Sequence, residues 1–211
     1  MYLLLLFDVG TAPTAPSGVT LSQDADADSW DISWTDNSSD ETGFDIQYEL
    51  NNSGTWALLT SVAANTTSSN NNSIPGVQHG DDVSVRVRAA GATTSSAYVE
   101  VASPTTASFN APTAPSSFTI SENGFGSVTG SFTDNSSNED NFIVEANPNG
   151  AGFESRETLA ANTTSISSHA PAIYYSVTNG QNYQMRVKAI RFGRESAATN
   201  SNTLSLANQP S

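Results

Sequence analysis

Cysteine is absent from the 211 residues, so the chain has no disulfide framework and no thiolate metal site. Basic residues are scarce: seven Lys and Arg stand against 21 Asp and Glu, for a formal charge of −14. Such a surface repels nucleic-acid phosphates and anionic lipid headgroups, so neither nucleic acid nor membrane is expected as a partner. The two histidines, His79 and His169, are both expected in loops, and no His-x-x-x-His or His-Glu spacing supports zinc. Neither a Gly-x-Ser-x-Gly elbow nor a glycine loop preceding Lys-Ser or Lys-Thr occurs. No catalytic, cofactor-binding or metal-ligating set follows, and the chain reads as a non-enzyme without cofactors.

Long apolar runs are missing too. The start, MYLLLLFDVG, holds six apolar residues between Met1 and Asp8, far short of the ~20 needed to span a bilayer. It carries no basic residue before the run, so it does not read as a secretory signal. As a strand, Tyr2, Leu4 and Leu6 would face one side and Leu3, Leu5 and Phe7 the other. Both faces are then apolar, the pattern of a strand buried on both sides. Residues 1–10 are therefore expected to be an anchor. Tyr2, Leu3, Leu4, Leu5, Leu6 and Phe7 would seat in a partner or sister subunit, by adding a strand to an exposed sheet edge. The competing expectation is an extra strand on the first domain's own edge.

What is present is a repeat. TAPTAPSGVTLSQ at Thr11–Gln23 returns at Asn110–Glu122, and TDNSSDETGFDIQYE at Thr35–Glu49 returns at Thr133–Asn147. AANTTSS at Ala63–Ser69 returns from Ala160, and GDDVSVRVRAA at Gly80–Ala90 returns at Gly180–Ile190. The offsets of 99, 98, 97 and 100 define a unit of about a hundred residues, giving domains at 11–109 and 110–211. The charge divides unevenly, −11 up to Asn110 and −3 beyond it.

Each unit reads as about seven short strands. Phe44, Ile46 and Tyr48 alternate with Asp45, Gln47 and Glu49; Val83, Val85 and Val87 alternate with Ser84, Arg86 and Arg88. In the second unit Tyr183, Met185, Val187 and Ala189 alternate with Gln184, Arg186 and Lys188. Asn- and Ser-rich stretches between these runs are turns. The proline pairs in Ala12–Pro16 and Ala111–Pro115 resist joining a sheet and mark a domain entrance and a linker. This spacing indicates two all-β Greek-key sandwiches in tandem.

The proline pairs, Trp34 in ISWTDNSS, the Gly43-Phe44 step and the Gly-x-x-Tyr-x-x-Arg-Val-x-Ala run ending at Ala189 resemble the fibronectin type III family. The resemblance covers Thr11 to about Leu206. It implies that Trp34 packs between the sheets from the second strand, with Phe132 in its place in the second unit. It likewise implies that Tyr183 opens the sixth strand, with Val83 at that position in the first unit. The Arg-Gly-Asp tripeptide of some members is absent, so integrin binding is not carried over.

Four further features carry two readings each. The acids of Asp24–Asp28 and Asp36–Glu41 hold calcium-type oxygens but lack EF-hand spacing, and Asp36, Asn37, Asp134 and Asn135 equally suit turn capping. Paired acids at Asp81–Asp82 and Glu139–Asp140 have the residue types of glycosidic chemistry, yet fall in turns. Six Asn-x-Ser/Thr sequons, Asn65 and Asn162 among them, would be glycosylation acceptors in a eukaryotic secretory protein and otherwise read as Asn-rich turns. The aromatics Trp30, Trp56, Tyr98, Phe125, Phe153, Tyr174 and Tyr175 are either a sugar-stacking platform or packing residues.

A short apolar start followed by such sandwiches resembles accessory proteins of tailed-phage virions. That resemblance implies a virion structural protein, a capsid decoration protein or head fibre, made in the host cytoplasm and placed on the virion surface. Its partners would be the major capsid or another virion protein, or sister subunits, with cell-surface glycans as weak adhesion targets. The alternatives are tail or neck decoration, and a bacterial extracellular spacer or carbohydrate-binding fibronectin type III protein.

Overall fold

Alternating β-branched and polar residues leave one face of each strand dry and the other wet, and two such faces must close on each other to make a core. The computed structural model describes residues 10–24, 28–123, 127–169 and 182–205, and among these there is no helix. The chain divides into two compact units, Met1–Phe109 and Asn110–Ser211.

In the first unit β1 (Ser17–Asp24), β2 (Ser29–Thr35) and β5 (Ser68–Asn72) form one sheet in the order β1-β2-β5. The other sheet runs β4 (Ala57–Ala63), β3 (Gly43–Leu50), β6 (Asp82–Ala90) and β7 (Val99–Glu100), with β8 (Thr105–Thr106) also on β6. The second unit repeats this. Its β9 (Ser116–Glu122), β10 (Val128–Thr133) and β13 (Ser165–His169) make the three-stranded sheet. The larger sheet holds β12 (Glu154–Ala160), β11 (Asn141–Pro148), β14 (Asn182–Arg191) and β15 (Arg194–Glu195), with β16 (Thr199–Asn200) and β17 (Leu204–Ser205) on β14. All pairings are antiparallel. In both units the fourth strand lies beside the third, whereas an immunoglobulin constant-type sandwich adds it to the opposite sheet. The architecture is two tandem sandwiches of the fibronectin type III-like kind.

The core of the first unit gathers Val19, Ile32, Trp34, Phe44, Ile46, Val85, Val87 and Ala89. Trp34 meets Phe44 with ring centroids 5.3 Å apart. In the second unit Phe132 takes the tryptophan's place and stands 5.9 Å from Phe118 and 5.0 Å from Phe142. The loss of ring area at one position is offset at its neighbour, since Phe118 stands where the first unit has Val19. Tyr183 and Val128 replace Val83 and Trp30 in the same reciprocal way, and all four are fully buried.

Three expectations need correcting. Glu49 does not face water: it is 9% exposed, and its carboxylate curls over the following turn to accept the Gly54 N–H at 2.9 Å. That turn is tight because Asn51, Asn52 and Gly54 all adopt positive φ. The proline segments are packed parts of the sandwiches, with Pro13, Pro16, Pro112 and Pro115 buried. The final strand of each unit is broken into short pieces. Buried serine hydroxyls take over ladder positions there: Ser96 accepts the Ala89 N–H at 2.9 Å, Ser196 that of Ala189 at 3.0 Å, and Ser201 that of Met185 at 3.0 Å.

Candidate functional site

The acidic loops are built as turns. Asp36 accepts the Ser38 N–H at 3.0 Å and Asp134 that of Ser136 at 2.9 Å, the Asx pattern. The adjacent amides tie each turn to its proline segment, Asn37 donating to the Ala15 carbonyl at 3.0 Å and Asn135 to that of Ala114 at 2.9 Å. Glu41 then accepts the Asn65 N–H at 2.9 Å, and Glu139 that of Asn162 at 3.0 Å. The hydrogen bond from Asn65 is the chief reason that the Glu41 carboxyl lies below its ordinary pKa. For Glu139 burial pushes the pKa up, but the N–H groups of Glu139 itself and of Asn162 outweigh it and the net shift is downward. The sequon residues Asn65 and Asn162 are left-handed turn residues, at φ 59° and 61°.

The paired acids behave similarly. Asp81 accepts from the Asn51 amide and from the Gln78 N–H, each at 2.8 Å, and Asp82 from the Thr106 hydroxyl at 2.8 Å. Asp140 accepts the Phe192 N–H at 2.5 Å. His79 lies in a turn, as expected, and its Nδ1 accepts the Phe109 N–H at 3.1 Å. His169 instead closes β13.

All seven cations of the chain lie on strands of the larger sheets; Arg86, Arg88, Arg186 and Lys188 stand on the wet faces, while Arg191 is buried. In the first unit the Arg86 guanidinium lies 4.3 Å from the ring centres of both Trp56 and Tyr98, and its Nε and Nη2 donate to Gln47 Oε1 at 2.9 and 2.7 Å. Arg88 follows, 4.8 Å from Tyr98, and donates twice to Asp45 Oδ2 at 3.0 and 2.9 Å. The strand register places Arg86 opposite Gln47 and Arg88 opposite Asp45, so the ladder is fixed by pairing of β3 with β6. In the second unit Arg186 lies 4.3 Å from Phe153 and pairs with Glu145. Lys188 bridges Glu145 at 3.3 Å and Glu195 at 2.8 Å. Burial raises the Glu145 pKa, yet the hydrogen bonds from Arg186 and Lys188 bring it below the ordinary value.

The two outer edges differ. Strand β4 reads ALLTSVA, with no charge and no proline, and Leu58 is 59% exposed. Strand β12 reads ESRETLA, with Glu154, Arg156 and Glu157 along it. Charge is the usual device that keeps an edge from pairing with another chain, and β4 lacks it.

The expected anchoring residues Tyr2–Phe7 lie outside the described residues, as do Phe125, Tyr174 and Tyr175. Trp30 is fully buried and so no part of a sugar platform. Trp56, Tyr98 and Phe153 are half-buried, with ring faces stacked on arginines. The arginine–aromatic ladder itself was not anticipated. Its signal was the x-Arg-x-Arg alternation of β6 opposite Asp45 and Gln47.

No family model matches the chain, and no curated protein matches its sequence. Among solved structures it is similar to a two-domain fibronectin type III segment of chicken tenascin, at 16% identity and a TM-score of 0.43, over 92% of this chain and 100% of that one. It is also similar to the FN1–FN3 domains of chicken CNTN1, at 16% identity and a TM-score of 0.40, over 94% and 68% of the two chains. A third is the chicken interferon gamma receptor alpha chain, at 16% identity and a TM-score of 0.39, over 93% and 100%.

Proposed function

We propose that this chain is a non-enzymatic structural protein of adhesion type, held in a larger assembly by Tyr2–Phe7 and displaying its two sandwiches. One observation supports the non-catalytic part above all: the carboxyls of Glu41, Glu139 and Glu145 are all displaced to lower pKa. A general acid or base working near neutrality needs a carboxyl pushed upward. These are held charged, two by turn amides and one by the cations of a sheet face.

The anchoring part rests on the chemistry of the leader. Six consecutive apolar side chains in a chain of charge −14 are costly to leave in water, and they suit a groove or an open strand edge on a partner. In its finer form the reading is a capsid decoration protein or head fibre on a tailed-phage virion, with the major capsid or a neighbouring virion protein as the receiving partner. The test is deletion of residues 2–7. Particles assembled with the shortened chain are separated on a density gradient, and the soluble chain is melted alongside. Loss of the chain from the particle fraction with an unchanged melting temperature is expected. Full incorporation of the shortened chain overturns the anchor.

A further inference from the structure

The two units are near copies, so a place where they differ in chemistry while sharing backbone geometry is informative. One such place lies where β11 leaves the larger sheet of the second unit. The Asn149 N–H donates to the Asn182 carbonyl at 2.8 Å, just as the Asn51 N–H donates to that of Asp82 at 2.7 Å in the first unit. The pair Asn147–Gln184 in the second unit corresponds to Glu49–Ser84 in the first. The backbones are equivalent, and the side chains are not.

In the first unit this corner is acidic and closed on itself. Asn51 donates to Asp81 and accepts the Asp82 N–H at 3.0 Å, and Asp82 takes the Thr106 hydroxyl. Glu49 is spent on the Gly54 N–H. In the second unit the corner is a hollow of about 300 Å³, at the small end of the range for ligand sites. Among the described residues it is lined by Asn147, Asn149, Gly150, Asn182, Gln184 and Thr203: four carboxamides, a hydroxyl and a glycine, with no charged group.

The remaining hydrogen bonds leave this lining half-used. Asn147 Oδ1 accepts the Gly152 N–H at 3.0 Å and Gln184 Nε2 donates to the Ser201 carbonyl at 3.1 Å. Each bond fixes the plane of its amide. The Asn147 NH2, the Gln184 amide oxygen and the side chains of Asn149 and Asn182 have no partner among the described residues. One cross-strand pair further along the same face stand Arg186 and Glu145, with the Phe153 ring over the guanidinium.

We propose that this amide-lined hollow of the second unit is a binding site for a neutral, polyhydroxylated ligand, a glycan. Oriented carboxamides offer a donor and an acceptor side by side, and vicinal sugar hydroxyls each donate and accept, so the two sets interlock. Among the described residues the lining offers an ion no counterion, and its surface is mainly polar, which suits hydroxyl groups better than an apolar side chain. This inference rests on the adhesion side of the proposed function and assigns it to one unit.

The test uses the full chain on an array of neutral hexose and N-acetylhexosamine oligosaccharides, with sialylated and sulfated glycans and unmodified peptides as contrasts. Hits are titrated by calorimetry. Asn182→Asp and Gln184→Ser install the residues that the first unit carries at these positions, so both are compatible with the fold. A neutral oligosaccharide should bind at micromolar to millimolar concentration, and each variant should weaken it at least tenfold with an unchanged melting temperature. Asn51→Ala in the first unit should leave the affinity within twofold. Absence of any neutral binder, selective binding of anionic glycans or peptides, or undiminished affinity in the Asn182→Asp, Gln184→Ser double variant would overturn the site. None of these outcomes bears on Tyr2–Phe7, so the anchor stands or falls separately.

Discussion

Glu139 and Asn162 are joined by a 3.0 Å hydrogen bond in which the carboxylate accepts the backbone N–H of a residue held at φ 61°. The first unit has the same link between Glu41 and Asn65, where φ is 59°. A side chain preceding the third strand thus staples the turn between the fourth and fifth strands, twice in one chain.

These staples make stability fall in acid. A carboxylate whose pKa is lower folded than its ordinary 4.5 gains its proton more readily when unfolded. Its contribution is complete above that value and is lost as pH falls through the depressed one. Glu139→Gln should cost about 1 kcal/mol at pH 7, one hydrogen bond to a charged acceptor, and flatten the decline as pH falls below about 5. Urea titrations of both proteins across that range provide the check, and an unchanged slope would refute the staple. Glu41→Gln should act in the same direction.

The aromatic exchange between the units yields a second expectation. Trp34→Phe should destabilise the first unit by about 1–2 kcal/mol, because the smaller ring leaves a cavity. Val19→Phe alone overfills the wild-type core. Together they reproduce the second unit's Phe118–Phe132 arrangement, whose rings stand 5.9 Å apart, so the double variant should recover part of the loss. A double-mutant cycle by denaturant unfolding measures that coupling, and strict additivity would contradict it.

Arg86 lies between two aromatic rings and forks onto Gln47. Removing it with Arg86→Ala should cost about 1–2 kcal/mol, and Arg86→Lys should recover only part, since an ammonium cannot fork onto Gln47 while stacking on both rings. Thermal melts of the three proteins decide this. Equal stability of the lysine variant and wild type would argue for charge alone.

The repeat, the strand alternation and the acidic turn caps were legible because each depends on residues close in sequence. Val83, Val85 and Val87 face inward as their period of two requires, and Asp36 and Asp134 cap the turns they begin. What escaped depended on pairing register or on the ends of strands. Glu49 is buried because its strand runs into a left-handed turn. The amide hollow joins residues 147–150 to residues 182–203, and nothing local marks those asparagines off from others in turns.

Gly43 opens β3 where the backbone of β4 comes close. A Cβ there would sit 2.4 Å from the Val62 carbonyl oxygen, too near for any side chain without shifting the edge strand. Gly43→Ala should therefore destabilise the first unit by about 1–3 kcal/mol. Hydrogen exchange should show the loss first at the β3–β4 pairing, and uniform weakening across the unit would count against a local clash.

The claim on which the account turns is that a six-residue leader, and no surface of either sandwich, holds the chain in its assembly. Residues 1–10 fused to an unrelated soluble monomer, and offered to particles assembled without this protein, measure sufficiency in a single gradient. The carrier is expected to travel with the particles through the leader alone. A carrier left at the top of the gradient, while the two sandwiches lacking residues 2–7 still sediment with the particles, would contradict it.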